Sequence, residues 1–212
     1  MENLHPLSQA IVDGKLEAAE ELVRKALDEK EDVQTIINSY LTAGMAEIGQ
    51  RFQDRKAFVP NLLMSARAMK GALAILQPYM NDGVTHTVGT VVIGTVKGDL
   101  HDIGKNLVAS MFEGSGFKVI NLGIDVSSNK FVDAVKENNA DVVCLSALLT
   151  TTMTYMKTVI EALTAAGLRD KVKVMVGGAP LSSDFAAQIG ADMYTSNANA
   201  AVVGAKKLLG IK

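Results

Sequence analysis

One cysteine and no tryptophan in 212 residues narrow the chemistry at the outset. A lone Cys144 forms no intrachain disulfide and leaves no thiolate cluster for zinc or iron–sulfur, so a reducing cytoplasm is the expected setting. Charge of one sign is also missing. Twenty-one Lys+Arg against 23 Asp+Glu leave a net charge of −2, which excludes the basic footprint of nucleic-acid binding and any charged tail. No apolar run reaches the ~18 residues of a membrane-spanning helix. The polar N-terminus "MENLHPLSQAIVDGKLEAAEEL" reads as neither signal peptide nor anchor. What remains is a chain with 48% hydrophobic residues, long enough for one large domain or two small ones.

Two periods divide it. Up to about residue 80 the apolar spacing is helical. "LHPLSQAIVDG" predicts a short helix, and "KLEAAEELVRKALDEK" a second through Leu16, Ala19, Leu22, Val23, Ala26 and Leu27. "DVQTIINSYLTAGMAEIGQRFQD" predicts a third, and "VPNLLMSARAMKGALAILQPYM" a fourth with Pro60 near its first turn, where a missing N–H costs nothing. Residues 1–83 are therefore expected to form a four-helix bundle, with "NDGVTHT" (81–87) as linker. In residues 88–212, β-branched runs alternate with helical segments: "TVVIGTV", "FKVINLG", "DVVCLSA", "KVKVMVGG" and a weak "ADMYTS". Five βα units predict an α/β fold, a parallel sheet covered on both faces, with the flavodoxin-like strand order 2-1-3-4-5.

In such a sheet, ligands bind beyond the carboxyl ends of the strands, at the switch point between strands 1 and 3. The unusual residues fall on that rim: "KGDLHDIG" after strand 1, "SALLTTT" after strand 3 and "GGAP" after strand 4. Each has an ordinary structural explanation. Asp99 could cap the next helix, Thr150–Thr152 could be a helix start, and Gly177-Gly178 could be a tight turn. Their convergence on one rim favours a site. Familiar phosphate sites fit badly. Five residues rather than four separate Gly98 from Gly104, Asn106 stands where a phosphate loop has its hydroxyl, and two aspartates would repel phosphate. A phosphoacceptor would need an aspartate at the end of strand 3, where Cys144-Leu145-Ser146 stands. A metal fits better, since Asp99 is near enough to orient His101. A single histidine cannot hold a bare transition ion tightly, so the metal is expected inside a macrocycle.

Three linked submotifs carry a family resemblance: Asp99-Leu100-His101-Asp102-Ile103-Gly104, Ser146-Ala147-Leu148 and Gly177-Gly178, separated by 41 and 28 residues. This pattern resembles the cobalamin-binding signature of cobalamin-dependent methionine synthase and of corrinoid methyl-carrier proteins. "GQRFQDRKAFVPNLLMSARAMKGALAIL" is similar to the cap bundle preceding that domain. The resemblance implies a helical cap (1–83) and a cobalamin-binding α/β domain (88–212).

It further implies that His101 is the lower axial ligand to cobalt, that Asp99 bonds the far imidazole nitrogen, and that Thr152 completes the triad. The family usually has serine at this third position, and the extra methyl puts the geometry there in question. Ser146 and Thr150 would line the groove for the nucleotide tail, and Gly104, Gly177 and Gly178 would give it room. Asp102, Ile103 and Leu148 belong to the same cofactor-contacting set. Phe52, Val59 and Leu62 align with residues covering the upper corrin face, although plain bundle core is their ordinary explanation.

The implied chemistry is a methyl group carried on cobalt, cycling between Co(I) and methyl-Co(III). The implied partners are a substrate-specific methyltransferase, an acceptor methyltransferase using tetrahydrofolate or a thiol, and a reductive activase. Methanol, methylamines, betaines and aryl methyl ethers are the donors such carriers serve. A cobalamin-dependent sensor or a small mutase subunit is the alternative. The first usually needs a helix-turn-helix, for which there is no room or basic stretch, and the second normally lacks the bundle.

Overall fold

A computed structural model describes residues 4–79 and 87–211, so the expected linker "NDGVTHT" lies, except for Thr87, outside the described residues. Two compact units divide near Thr87, a helical one before it and an α/β one from Val88, with residues 113–116 grouped with the first.

The helical unit opens with α1 (Pro6–Val12), where Pro6 occupies the first turn and the His5 ring accepts the Leu7 N–H. In α2 (Leu16–Asp28) the buried residues are Ala19, Val23 and Ala26, spaced four and three apart. The third expected helix is a composite. It runs from α3 (Val33–Thr35), capped by Asp32, through a π-helical segment (Ile36–Leu41) into α4 (Thr42–Gln53). Within the widened turn, buried Ser8 donates its hydroxyl to the Tyr40 carbonyl at 2.8 Å. The fourth helix, α5 (Val59–Leu76), buries Leu62, Ala66, Met69, Ala72 and Leu76 and ends in a 3-10 turn (Gln77–Tyr79).

The α/β unit alternates as expected: β1 (Thr90–Thr95), α6 (Ile103–Glu113), β2 (Lys118–Asn121), α7 (Ser128–Asn138) and β3 (Val142–Ser146). Then follow α8 (Thr150–Met153), α9 (Tyr155–Ala165), β4 (Lys173–Gly177), α10 (Ser183–Ile189), β5 (Met193–Tyr194) and α11 (Ala198–Leu208). Helical structure after β3 thus comes in two pieces, broken at Thr154. The strand order is β2-β1-β3-β4-β5, all parallel.

Central strands are buried along nearly their whole length, which their Val/Ile-rich runs require of a sheet covered on both faces. Phe131 of α7 anchors one layer of the core with Val92, Val143 and Leu145. Its ring lies where a side chain at Gly94 would stand, 2.8 Å from that Cβ position. The register sets Thr95 beside Ser146 and Ser146 beside Gly177, so three loops leave the carboxyl edge from one row.

Phe131 is fully buried, so replacing it with alanine opens a cavity the sheet cannot close. Phe131→Ala is expected to destabilise the α/β unit by about 3–5 kcal/mol, read by urea unfolding.

Candidate functional site

The loop after β1 is organised by one side chain. Asp99 has no solvent exposure. Its Oδ1 accepts the His101 backbone N–H at 3.0 Å and lies 2.7 Å from His101 Nδ1. Its Oδ2 accepts the Thr152 hydroxyl at 2.6 Å, the Leu148 N–H at 2.8 Å and the Leu149 N–H at 3.3 Å. Asp99 therefore does not cap α6. It ties the β1–α6 loop to the β3–α8 loop.

Burial alone would raise the Asp99 carboxyl above its ordinary value. Hydrogen bonds from Thr152, the Leu148 and His101 amides and the His101 ring outweigh that and hold it well below the usual carboxylate range. The group is thus an anion whose lone pairs are spent on donors. Facing it, the His101 ring carries a proton on Nδ1, since the ionised carboxylate 2.7 Å away can only accept. The Nε2 lone pair points away, with no hydrogen bond to the described residues. The ring is half exposed, at 51%. Thr95, fully buried at the end of β1, donates its hydroxyl to the His101 carbonyl at 2.8 Å and pins the backbone beneath the ring.

The other expected residues divide. Asp102 accepts the Asn106 side-chain amide at 3.0 Å on the first turn of α6 and makes no bond to His101. Buried Lys105 adds hydrogen bonds to the Asn106 and Asn121 carbonyl oxygens. Ile103 is 87% exposed, and a side chain at Gly104 would meet nothing within 4 Å. Ser146 lies partly buried at the strand end, its carbonyl accepting Val96 N–H, while Leu148 and Thr150 are exposed. At Gly177, a Cβ would meet only the Thr195 carbonyl, at 3.4 Å.

Gly178 has a packing reason of its own. At φ +143 its Cβ position falls on the Ala147 carbonyl, so the close approach of the β3–α8 loop requires glycine there. In the helical unit, Leu62 is fully buried, Phe52 half-buried and Val59 exposed.

Several residues escaped sequence reasoning. Leu100, Ile124 and Leu149 are large apolar side chains left exposed in the loops at the carboxyl edge of the sheet, in addition to the expected Ile103 and Leu148. Phe58 and Leu63 are similarly exposed at the start of α5. Their signal was available, since apolar residues inside otherwise polar loops or beside a helix start have no local reason to be there. Among the described residues no cluster of three or more His, Cys, Asp or Glu side chains could hold a bare ion.

Residues 89–203 match the family described as B12 binding domain, and residues 4–77 match a second family of the same description. The chain belongs to the B12-binding corrinoid protein family. Its cofactor class is accordingly cobalamin or a related corrinoid. The chain is 46% identical to a dimethylamine corrinoid protein of Methanosarcina barkeri, over 98% of each chain. It is 45% identical to a trimethylamine corrinoid protein of the same organism, over 96% of this chain and 94% of that one. Among solved structures, a cobalamin-binding protein from Desulfitobacterium hafniense superposes with TM-score 0.81 at 35% identity, covering 95% and 96% of the two chains. The methanol:cobalamin methyltransferase complex of M. barkeri gives TM-score 0.84 at 30% identity, over 97% of this chain and 78% of that one. This corrinoid protein thus has the fold of its family. A partnerless Nε2 amid exposed leucine and isoleucine side chains fits a flat, bulky group with one open axial position.

Because the Asp99 carboxyl is depressed in the folded state, its contribution is present above the unfolded value near 4 and fades as pH falls below it. Asp99→Asn turns an amide N–H₂ toward the His101 N–H or toward the Thr152 and Leu148 donors. It should cost about 2–4 kcal/mol at pH 7. In urea unfolding at pH 7, 5 and 3, the gap between wild type and variant should be widest at pH 7 and narrowest at pH 3.

Proposed function

We propose that this chain is a methyl carrier, holding a corrinoid through His101 Nε2 and passing a methyl group between two separate methyltransferases. The observation that carries the reading is the Thr152–Asp99–His101 chain, which leaves one imidazole lone pair outward on a half-exposed ring. When bound, the corrinoid supplies a cobalt centre able to take up and surrender a methyl group.

The protein's residues supply ligation and proton control. Asp99 holds the Nδ1–H tautomer, so the outward nitrogen is always the ligating one. The Nδ1 side of the ring would stay held by Asp99 whether or not Nε2 has a partner, so the ring's orientation would not depend on the cofactor. Thr152 donates to the other carboxylate oxygen at 2.6 Å, so the threonine methyl does not prevent the hydroxyl from completing the chain. Gly104 leaves the ring's flank open, and the exposed Ile103, Leu148, Leu100 and Leu149 offer an apolar bed for the macrocycle. Ser146 and Thr150, at the mouth between β3 and α8, are the hydroxyls available to polar substituents of the cofactor.

Donor specificity belongs to the first methyltransferase. Identities of 46% and 45% to dimethylamine and trimethylamine corrinoid proteins over nearly their whole lengths favour a methylated amine. The acceptor enzyme would use tetrahydrofolate or a thiol, and a reductive activase would restore the cobalt after adventitious oxidation. Matches to corrinoid proteins over 98% and 94% of those proteins' lengths, and to a corrinoid subunit within a methanol:cobalamin methyltransferase complex, support a carrier that works with a separate methyltransferase. No described helix is long and apolar enough to cross a membrane.

Incubation with methylcobalamin followed by desalting should leave wild type with a stoichiometric corrinoid showing axial nitrogen ligation. His101→Ala should bind about tenfold more weakly or worse, with its spectrum shifted to the base-off form. A colourless wild-type protein under several corrinoids and redox states would remove the cobalt site.

A further inference from the structure

Asp125 stands in the loop between β2 and α7 with φ +52, a left-handed backbone that disfavours a residue bearing a side chain. Three other non-glycine residues among those described share a positive φ: Lys30, Arg55 and Asn139. Each closes a helix, where the chain ordinarily turns left-handed. Asp125 closes no helix. An unfavourable conformation persists where its surroundings over-determine it, and such positions cluster at functional sites.

What over-determines Asp125 is the loop that carries Asp99 and His101. Its Oδ1 accepts the Gly98 N–H at 2.7 Å, and its own N–H donates to the Asp99 carbonyl at 3.1 Å. The two bonds straddle the Gly98–Asp99 peptide, and Gly98, at φ +85, is the most pliable link of that loop. The loops are closed together on either side. Thr95 N–H donates to the Gly123 carbonyl, Val126 N–H donates to the Thr95 carbonyl, both at 3.0 Å, and Val96 pairs with Val126 as a parallel bridge. Asp125 touches neither the Asp99 carboxylate nor the His101 ring, so it can act on them only through the backbone.

We infer that Asp125 is a positioning residue for cobalt ligation, clamping the Gly98–Asp99 peptide so that the buried carboxylate and the His101 ring stay in register. The inference rests on the reading of His101 as the axial ligand. Without the clamp, Gly98 rotates freely, Asp99 samples other orientations, and the ring meets the metal less often.

Three substitutions separate the bond from the backbone conformation. Asp125→Gly keeps the left-handed turn and removes the acceptor, Asp125→Asn keeps both, and Asp125→Ala loses both. In the apo protein, the Gly98 amide of Asp125→Gly should exchange with solvent about tenfold faster than in wild type, with Tm within about 2 °C. Cobinamide, a corrinoid with no base of its own, gives the second readout, because any axial nitrogen must then come from the protein. In the Co(II) form, the ratio of nitrogen-ligated to unligated cobalt, read by electron paramagnetic resonance, should fall about fivefold in Asp125→Gly. It should fall at least as far in Asp125→Ala and return to near the wild-type ratio in Asp125→Asn.

An unchanged ratio in Asp125→Gly beside a nitrogen-ligated wild type would overturn the inference and leave the His101 reading intact. So would a fall that merely tracks a loss of Tm, which marks an ordinary structural bond. Wild-type protein showing no axial nitrogen at all would overturn both, while the exchange measurement would still report whether Asp125 holds Gly98.

Discussion

Placing an ionised carboxylate where water cannot reach it is expensive, and the loops at the carboxyl edge of this sheet are arranged around meeting that demand at Asp99. Among the described residues no lysine or arginine neutralises it. The charge is met by donors alone: one hydroxyl, three backbone amides and an imidazole N–H. Those donors come from two loops about 50 residues apart in sequence, at Leu148, Leu149 and Thr152 on one side and His101 on the other. A cation in their place would satisfy the charge and quench it. Amide and hydroxyl dipoles satisfy it and leave Oδ1 facing the imidazole, where it holds the Nδ1 side of the ring.

The fold makes this juxtaposition cheap. In the order β2-β1-β3-β4-β5, β1 and β3 are neighbours although a whole βα unit separates them in the chain, so their exits share one edge. Thr95, Ser146 and Gly177 sit in one row, and each marks where a strand gives way to a loop. Buried Thr95 spends its hydroxyl on the His101 carbonyl, so the strand end itself holds the ligand loop. Gly178 lets the β4 exit pass against Ala147, which steadies the loop that supplies the Leu148 and Leu149 amides.

The fold was largely legible because hydrophobic periodicity reports it. Helical spacing to about residue 80, then β-branched runs alternating with helices, reported the elements, and the strand order found is the commonest one for five such βα units. The pairing of Asp99 with His101 was legible from two side chains two residues apart on one rim, whereas the hydroxyl of Thr152 was joined to them only through the family resemblance. What stayed hidden has no side-chain signature. Backbone amides donate identically in every sequence, so Leu148 and Leu149 read as apolar loop residues while serving as the donors that keep Asp99 charged. A left-handed Asp125 looks like any loop aspartate until its φ is known. The π-helical turn at Ile36–Leu41 and the break at Thr154 shift the helical phase by too little to disturb an amphipathic pattern. The close approach of the Ala147 carbonyl that requires glycine at position 178 is likewise invisible until the fold is known.

The apolar rim follows from the same division of labour. Burying a leucine or isoleucine side chain contributes about 1.5–3 kcal/mol, yet Leu100 and Ile103 stay 67% and 87% exposed beside a loop tightly held in place. They can stay exposed because polar bonds fix that loop: Thr95 to His101, Asp125 to Gly98, and Asp99 to the β3–α8 loop. A loop anchored by its own apolar side chains would have turned them inward and presented a polar surface. Anchored by hydrogen bonds, it keeps them outward around a nitrogen without a partner. The stability withheld from folding is then available to binding, and a ligand that covers the rim stabilises the folded chain in proportion to its affinity.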